Sequence, residues 1–238
     1  MAGEEVALVT GAGGALGAAV ARELSTRGYK LALADGPQAR ERLEQLAVSV
    51  GGACVVAGDI AQESTWVEAT PRIARELGAA PTRAAFIAGG WRGGKRLHEE
   101  TTDDVWRAMM GANLDTVYRS LRAVLPAMVA QKRGSIVVVG SRAAVQPATS
   151  AGAAAYAASK AAVVALAEAV AAEVLEHGVR VNALLPSTLD TPANRAAMPK
   201  ADPSKWVSLA SAAGVVAFLL GDESRDVSGA ALPLYGRA

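Results

Sequence analysis

The sequence predicts an α/β fold in which one parallel sheet is covered by helices on both faces. Short apolar runs such as Val6–Val9 alternate with longer segments of helical pattern along the whole chain. Runs of this length, closed by Gly, Asp or Ser, are typical of buried parallel strands. No linker or low-complexity stretch breaks the alternation. Residues 1–238 are therefore expected to form a single doubly wound domain with right-handed crossovers.

The individual elements follow from these runs and from the residues that end them. Glycines at 28, 51 and 178 follow helical segments and are expected to stop them. Pro71 and Pro126 lie inside helical segments and are expected to break or kink them. The segment 192–203 is predicted to be an irregular lid. Strands are predicted at 6–9, 31–34, 53–57, 84–88, 135–139, 179–185 and 231–234, and helices at 15–27, 39–50, 63–77, 102–130, 153–177 and 206–220.

Composition excludes several classes of protein. The net charge of +1 gives no basic face for nucleic acid. The longest apolar helix segment, 161–174, is interrupted by Glu168 and Glu173, so no membrane span is predicted. A single cysteine, Cys54, allows no internal disulfide and suits the reducing cytoplasm. The acidic start Met1–Glu5 is not expected to be a signal peptide.

A glycine-rich loop joins the first strand to the first helix. Glycines at such a point permit a tight turn and let the backbone approach a pyrophosphate, whose charge suits the helix N-terminus. A flexible turn would have a similar composition, but the strand–loop–helix context favours a Rossmann-type dinucleotide site. The loop reads Thr10-Gly11-Ala12-Gly13-Gly14-Ala15-Leu16-Gly17.

Two acidic residues follow the next strands. Asp35 ends the second strand, where a carboxylate binds the adenosine ribose hydroxyls and repels a 2′-phosphate. NAD(H) is therefore favoured over NADP(H) as the cofactor, although Asp35 could instead serve the turn before Gly36. Asp59 and Ile60 follow the third strand and are placed to meet the adenine. The alternative for Asp59 is an ordinary helix cap.

Four polar residues are candidates for catalysis. Tyr156 and Lys160 lie one helical turn apart, and a nearby ammonium is expected to lower the pKa of a phenol. Ser141 follows the fifth strand and could bind a substrate oxygen, or it could be a loop serine. Asn113 lies inside a helix, where Asn is disfavoured, so it is expected either to hold a water of a proton relay at a kink or to face solvent. No spacing typical of metal ligands occurs.

Together these residues resemble the short-chain dehydrogenase/reductase family over almost the whole chain, from Val6 to Leu234. The resemblance implies that Tyr156 is the general acid/base, that Lys160 lowers its pKa and binds the nicotinamide ribose, and that Ser141 orients the reacting oxygen. It implies that Asn113 holds the relay water, and that the protein is a homotetramer or homodimer built partly on the helices 102–130 and 153–177. It also implies a nicotinamide pocket lined by Pro186, Ser187, Thr188 and Thr191, and Ala88 and Gly89 are further candidate cofactor-binding residues.

The sequence also departs from the family pattern. Ala15 replaces a loop glycine, and Phe86-Ile87 replaces the usual asparagine pair after the fourth strand. The loop Ala88–Gly94 and the segment Leu185–Trp206 are similar to dihydropteridine reductases, which reduce a quinonoid pterin with NADH. Trp91 could stack on a flat substrate or plug the loop against the lid. Ser141 argues against a true pteridine reductase, because that group generally lacks this serine.

Three hypotheses for function follow. The first is an NAD(H)-preferring oxidoreductase that moves a hydride between nicotinamide and the carbonyl or alcohol carbon of a small substrate, with Tyr156 transferring the proton. The second is a dihydropteridine reductase-like enzyme. The third is a regulator that senses NAD(H) without turnover, which the presence of all four candidate catalytic residues disfavours.

Overall fold

Seven parallel strands form one sheet in the order β3-β2-β1-β4-β5-β6-β7. A computed structural model describes residues 5–237. Met1–Glu4 and Ala238 lie outside the described residues, and so does most of the acidic start that is not expected to be a signal peptide. The α/β prediction with helices on both faces is confirmed. The chain reverses direction across the sheet between β1 and β4, and such a switch point opens a ligand crevice at the carboxyl ends of the strands.

The predicted strands and helices are found, with shifts of a few residues at their ends. Strands run over β1 Val6–Thr10, β2 Lys30–Asp35, β3 Ala53–Ala57, β4 Arg83–Phe86, β5 Gly134–Val139, β6 Val179–Pro186 and β7 Ala231–Leu234. Helices run over α1 Ala15–Thr26, α2 Arg40–Ser49, α3 Glu63–Leu77, α4 Asp104–Met109, α5 Thr116–Gln131, α6 Arg142–Val145, α7 Ala154–Val174, α8 Pro192–Ala197 and α9 Leu209–Leu220.

The strands are apolar on both sides because helices cover both faces of the sheet. Val6 and Leu8 of β1 pack into the core formed with α3, α5 and α7, whereas Ala7 and Val9 face α1, α2 and α9. Successive side chains of a strand point to opposite faces, so an uninterrupted apolar run is what a doubly covered strand needs. The core thereby holds the carboxyl ends of the strands in a fixed arrangement.

The predicted helix 102–130 is one helical stretch with an irregular turn inside it. Residues Met110–Asp115 form a π-helical segment between α4 and α5. Such segments carry one extra residue per turn and often occur at functional sites. Pro71 and Pro126 lie within α3 and α5, and neither breaks its helix.

Two predictions near the lid are wrong. The segment 192–203 is not wholly irregular, because α8 forms after Thr191, whose hydroxyl accepts a hydrogen bond from the backbone N–H of Asn194. A threonine cap followed by proline is a common helix start that the sequence analysis overlooked. The last helix begins at Leu209 rather than at Trp206, because Val207 instead bonds to Thr188 and Asp190 in an extended strand-like contact.

Candidate active site

The candidate catalytic residues meet at the carboxyl edge of the sheet. Ser141 follows β5, Tyr156 and Lys160 lie in the first two turns of α7, and Asn113 lies in the π-helical segment. These positions come from separate parts of the chain, and the packing of α7 against the sheet and against the π-helical segment brings them together.

Ser141 is held in place by its role as a helix cap. Its backbone is extended, and its hydroxyl accepts a hydrogen bond from the backbone N–H of Ala143 at the start of α6. The same side chain hydrogen-bonds the phenol of Tyr156. The serine is therefore not a mobile loop residue, and its Oγ and the phenol form one polar pair.

The pKa of Tyr156 moves in the direction opposite to the expected one. Burial of the phenol raises its pKa above the usual value, and the hydrogen bond from Ser141 lowers it by a smaller amount. A buried phenol resists ionisation because the phenolate loses its hydration. Burial and Ser141 account for this shift, so the lowering of the pKa by Lys160 stays a prediction.

Lys160 is buried and directed to the sheet. Its Nζ donates a hydrogen bond of 2.8 Å to the carbonyl oxygen of Val139, the last residue of β5. Burial lowers the pKa of this ammonium to about 8. Gly89 leaves room for it, since a Cβ at that position would lie 3.2 Å from Nζ. Lys160 can thus exchange a proton near neutral pH.

Asn113 is fully buried, so the interpretation of a solvent-facing residue is wrong. Its Nδ2 donates to the carbonyl oxygen of Gly90 at 3.1 Å and to the hydroxyl of Ser159 at 3.0 Å, while its Oδ1 accepts from the N–H of Gly90 at 2.9 Å. The side chain therefore fixes the loop after β4 to α7. The π-helical turn provides the position from which one amide reaches both.

Ser159 is a site residue that the sequence analysis missed. Its hydroxyl donates a hydrogen bond of 2.8 Å to the carbonyl oxygen of Tyr156 and accepts one from Asn113. A serine three residues after a tyrosine in a helix can make this backbone contact, and that spacing was the available signal. Ser159 joins the Asn113 amide to the turn of α7 that carries Tyr156.

The glycine loop forms a cradle that suits a pyrophosphate. Gly11 adopts φ +66°, and a Cβ at Gly17 would lie 2.1 Å from the carbonyl oxygen of Gly11. No side chain caps α1 at Gly14, and its first turn carries no acidic residue. Ala15, Leu16 and Gly17 occupy this first turn, where free N–H groups and the helix dipole favour an anionic ligand. The loop therefore fits the phosphates of a dinucleotide.

Asp35 lies against the same loop. Its Oδ2 accepts from the N–H of Gly13 at 2.9 Å, and its Oδ1 accepts from the N–H of Gly36 at 2.8 Å. Arg42 on α2 donates from Nε to the carbonyl oxygen of Gly13 at 3.0 Å. The peptide of Gly13 is thus held between a carboxylate and a guanidinium. Each carboxylate oxygen keeps a further lone pair for a ribose hydroxyl.

Asp59 and Ile60 lie just beyond β3. The Oδ1 of Asp59 accepts from the N–H of Ala61. The N-cap position of α3 is Gln62, whose side chain makes no cap hydrogen bond, so Asp59 is not the helix cap. Ile60 is 4% exposed and packs into the core. Its carbonyl oxygen accepts a hydrogen bond from the indole N–H of Trp66. The side chain of Ile60 is therefore buried in the core, and its backbone is the part that could contact a ligand at this edge of the sheet.

The segment after β6 is tied to the C-terminal residues. The hydroxyl of Ser187, next to Pro186, donates to the carbonyl oxygen of Tyr235 at 2.7 Å. Thr188 accepts the N–H of Val207 through its carbonyl oxygen, and the hydroxyl of Thr191 caps α8. These contacts hold the start of the lid close to the end of β6.

Trp91 lies in the loop after Ala88 and Gly89. The residue is 63% exposed, so it does not plug the loop against the lid. Its Cζ2 would lie 2.9 Å from a Cβ at Gly93, so the indole lies over that part of the loop. An exposed indole beside the candidate site offers a flat apolar surface.

Two kinds of feature are absent from residues 5–237. No group of three or more His, Cys, Asp or Glu side chains in this range is arranged as a metal site. Within the same range, none of the helices combines the length and apolar character needed to cross a bilayer.

Comparison with known proteins identifies the family. Residues 5–202 match the short chain dehydrogenase family model. The chain is 28% identical to the 2,5-dichloro-2,5-cyclohexadiene-1,4-diol dehydrogenase of Sphingobium indicum over 98% of this chain and 95% of that protein. It is 34% identical to the 2,3-dihydro-2,3-dihydroxybenzoate dehydrogenase of Bacillus subtilis over 79% of this chain and 70% of that protein. The crystal structure of an NAD+-bound xylitol dehydrogenase matches with a TM-score of 0.87 and 28% identity over 99% of both chains.

The fold and these matches define an oxidoreductase that acts on small molecules. The chain belongs to the short-chain dehydrogenase/reductase family. The narrower resemblance to dihydropteridine reductases receives no support from these matches.

Proposed function

We propose that this protein is an NAD(H)-preferring dehydrogenase/reductase of a small secondary alcohol and its ketone, with Tyr156 as the general acid/base. The observation that carries the proposal is the hydrogen-bonded pair of Ser141 and Tyr156 beside the buried Lys160. A phenol and a hydroxyl in such a pair can share one substrate oxygen, one donating and the other taking the proton. Catalysis by a positioned acid or base contributes ~10²–10⁴-fold to rate.

The residues have distinct roles in this proposal. A bound nicotinamide would accept or supply the hydride. In alcohol oxidation, the C–H bond of the substrate breaks with its electron pair, and the hydroxyl proton passes to the phenolate oxygen of Tyr156. Ser141 orients the substrate oxygen. Lys160 supplies positive charge near the nicotinamide ribose and the phenol. Asn113 keeps the loop and α7 in register.

The names of the relatives suggest a substrate class. A cyclohexadiene diol, a dihydroxylated dihydrobenzoate and xylitol each carry more than one hydroxyl group. We propose a small ring diol or polyol for this chain. The exposed indole of Trp91 favours the ring diol, because a flat apolar surface can pack against a ring face.

Asp35 is expected to make NADH bind more tightly than NADPH, because its carboxylate would face the 2′-phosphate of NADPH. Replacing Asp35 by Ser should reverse this preference by about tenfold or more, since like charges in contact cost several kcal/mol. Quenching of tryptophan fluorescence on titration with each cofactor measures both dissociation constants without a substrate. Glu41→Gln, an exposed acid on α2, is the control and should leave the ratio unchanged. Equal affinity of the native chain for both cofactors would contradict the role of Asp35.

A substrate panel tests the proposed reaction. Cyclic diols, xylitol, cyclohexanol and quinonoid dihydropterin would each be assayed with the matching NAD+ or NADH. We expect oxidation of at least one ring diol, with kcat reduced about 10²-fold in Ser141→Ala. Activity confined to the pterin and unaffected by Ser141→Ala would instead support the dihydropteridine reductase hypothesis.

Trp91→Ala should raise the KM of a ring diol more than that of xylitol.

We also propose a cytoplasmic homotetramer or homodimer that uses α5 and α7. The outer positions of α7 are mostly alanines, and Tyr118 on α5 is 44% exposed, so these helices present a smooth apolar surface for a second copy. Light scattering after size-exclusion chromatography gives the mass in solution, and a mass near 24.2 kDa would contradict this part.

A further inference from the structure

Arginine side chains gather at the end of the sheet opposite the candidate active site. A cavity of about 260 Å³ opens between the starts of β4, β5 and β6 and the turn after α9. Among the described residues that line it, Asp222 is the only carboxylate, whereas the cations are Arg83, Arg133, Arg180 and Arg225. The chemistry of this cavity therefore favours an anion.

Three described carboxylates lie near the four arginines: Glu5 and Asp222 are shared between Arg83 and Arg133, and Asp226 pairs with Arg225 at 3.5 Å. Arg83 is 3% exposed in its side chain, and its Nη2 lies 3.1 Å from Glu5 Oε2 and 2.9 Å from Asp222 Oδ1. Arg133 pairs with the same two carboxylates. The buried Nε of Arg83 has no hydrogen-bond partner among residues 5–237. A buried guanidinium N–H without an acceptor is costly, and a bound oxyanion would satisfy it.

Arg180 adds a charge that direct contacts do not neutralise. Its guanidinium donates to the carbonyl oxygens of Gly221 and Val227 and to the hydroxyl of Ser224, all of which are neutral. Burial lowers the pKa of Arg180, and the positive charge of Arg83 lowers it further, against smaller opposing effects of nearby carboxylates. The cavity thus carries an excess of positive charge in a partly buried place.

We propose that this arginine-lined cavity binds a small oxyanion of the phosphate class, either inorganic phosphate or the phosphate group of a monoester. Guanidinium groups match phosphate because they donate parallel N–H bonds to two oxygens. An oxyanion there would connect the starts of three strands to the end of α9. The site lies at the amino ends of the strands, away from the glycine loop at their carboxyl ends.

Calorimetric titration of the full chain with sodium phosphate, and separately with glycerol 3-phosphate, tests the proposal against sodium chloride at equal ionic strength. We expect saturable binding that Arg133→Gln and Arg225→Gln each weaken about fivefold or more, and that Asp222→Asn strengthens, since it removes the negative charge from the cavity. Tighter binding of glycerol 3-phosphate identifies a monoester as the ligand, and equal or tighter binding of phosphate identifies the free ion. Arg107→Gln is the control, because Arg107 is also exposed and paired with an aspartate but lies on α4.

Phosphate could also bind at the glycine loop, so the titration is repeated with saturating NADH. Binding at the arginine cavity should persist and keep its dependence on Arg133. Weaker phosphate binding in Arg133→Gln identifies the arginine cavity as the site even if NADH does not bind. Absence of saturable binding of both probes, or binding unchanged in Arg133→Gln and Arg225→Gln, would overturn the proposal. Arg225 is 81% exposed in its side chain, so its variant is expected to fold.

Discussion

Tyr156→Phe is expected to lower kcat for the alcohol substrate by about 10²–10⁴-fold, the range attributed to a positioned acid or base. The substitution removes only the hydroxyl that hydrogen-bonds Ser141 and leaves the ring in its partly buried position. The dissociation constant of NADH should change by less than about threefold, because the phenol acts on the substrate oxygen and makes no contribution to the phosphate cradle. Steady-state kinetics and a separate cofactor titration measure the two quantities.

The pH dependence provides a second readout for Tyr156. Because burial raises the pKa of the phenol, most of it is protonated at neutral pH. Alcohol oxidation by the native chain should therefore become faster as the pH rises towards this pKa and the phenolate forms. This rise should be absent in Tyr156→Phe. Tyr29→Phe, just before β2 at the end of the sheet opposite the candidate site, is the control for loss of a hydroxyl. If Tyr156→Phe kept full activity and the native pH profile, the phenol would not be the acid/base. If the native chain bound NADH but turned over no substrate, and Tyr156→Phe left its biological effect intact, the hypothesis of a non-catalytic NAD(H)-sensing regulator would gain support.

The parts of the site that sequence predicted are those formed by neighbouring residues. The glycine loop lies between one strand and one helix, and Tyr156 and Lys160 share one helix face, so local pattern was sufficient. The α/β architecture was predicted in the same way, from short apolar runs that alternate with helical segments. A parallel strand that is buried on both faces needs such an uninterrupted apolar run. The start of α8 was also local, and the overlooked Thr191 cap shows an error of interpretation rather than a limit of the sequence.

The parts that sequence did not predict depend on contacts between distant residues. Lys160 donates to Val139, 21 positions earlier in the chain, so its direction depends on how α7 packs on β5. The π-helical segment and the contact of Asn113 with Ser159 likewise depend on the docking of two helices. The sign of the pKa change at Tyr156 depends on the balance between burial and nearby charge. Spacing along one helix gives the charge but not the burial.

Lys160→Met is expected to stabilise the fold at pH 7 while lowering turnover by about 10²-fold or more. Burial lowers the pKa of the ammonium from 10.5 to about 8, so at pH 7 the charged form costs the native state about 3 kcal/mol relative to the unfolded chain. Removal of the charge therefore stabilises the native state, and loss of the hydrogen bond to Val139 offsets about 1 kcal/mol of this stabilisation. The free energy of unfolding should therefore rise by about 2 kcal/mol, measured by urea denaturation.

The stability advantage of Lys160→Met over the native chain should fall as the pH rises. Between pH 8 and 10.5 the unfolded chain holds a proton on Lys160 that the native state has lost, so the native protein becomes more stable as the pH rises through this window. The methionine variant lacks this dependence, and its advantage should fall below about 1 kcal/mol at pH 10. Lys30→Met is the matched control, because Lys30 also donates to a carbonyl oxygen, that of Leu77, but is exposed. Unlike Lys160→Met, it is not expected to stabilise the fold at pH 7, because an exposed side chain carries no cost of burial. A Lys160→Met chain less stable than the native one at pH 7 would mean that the contact with Val139 outweighs the cost of burying the charge, and that Lys160 is retained for stability as well as for proton transfer.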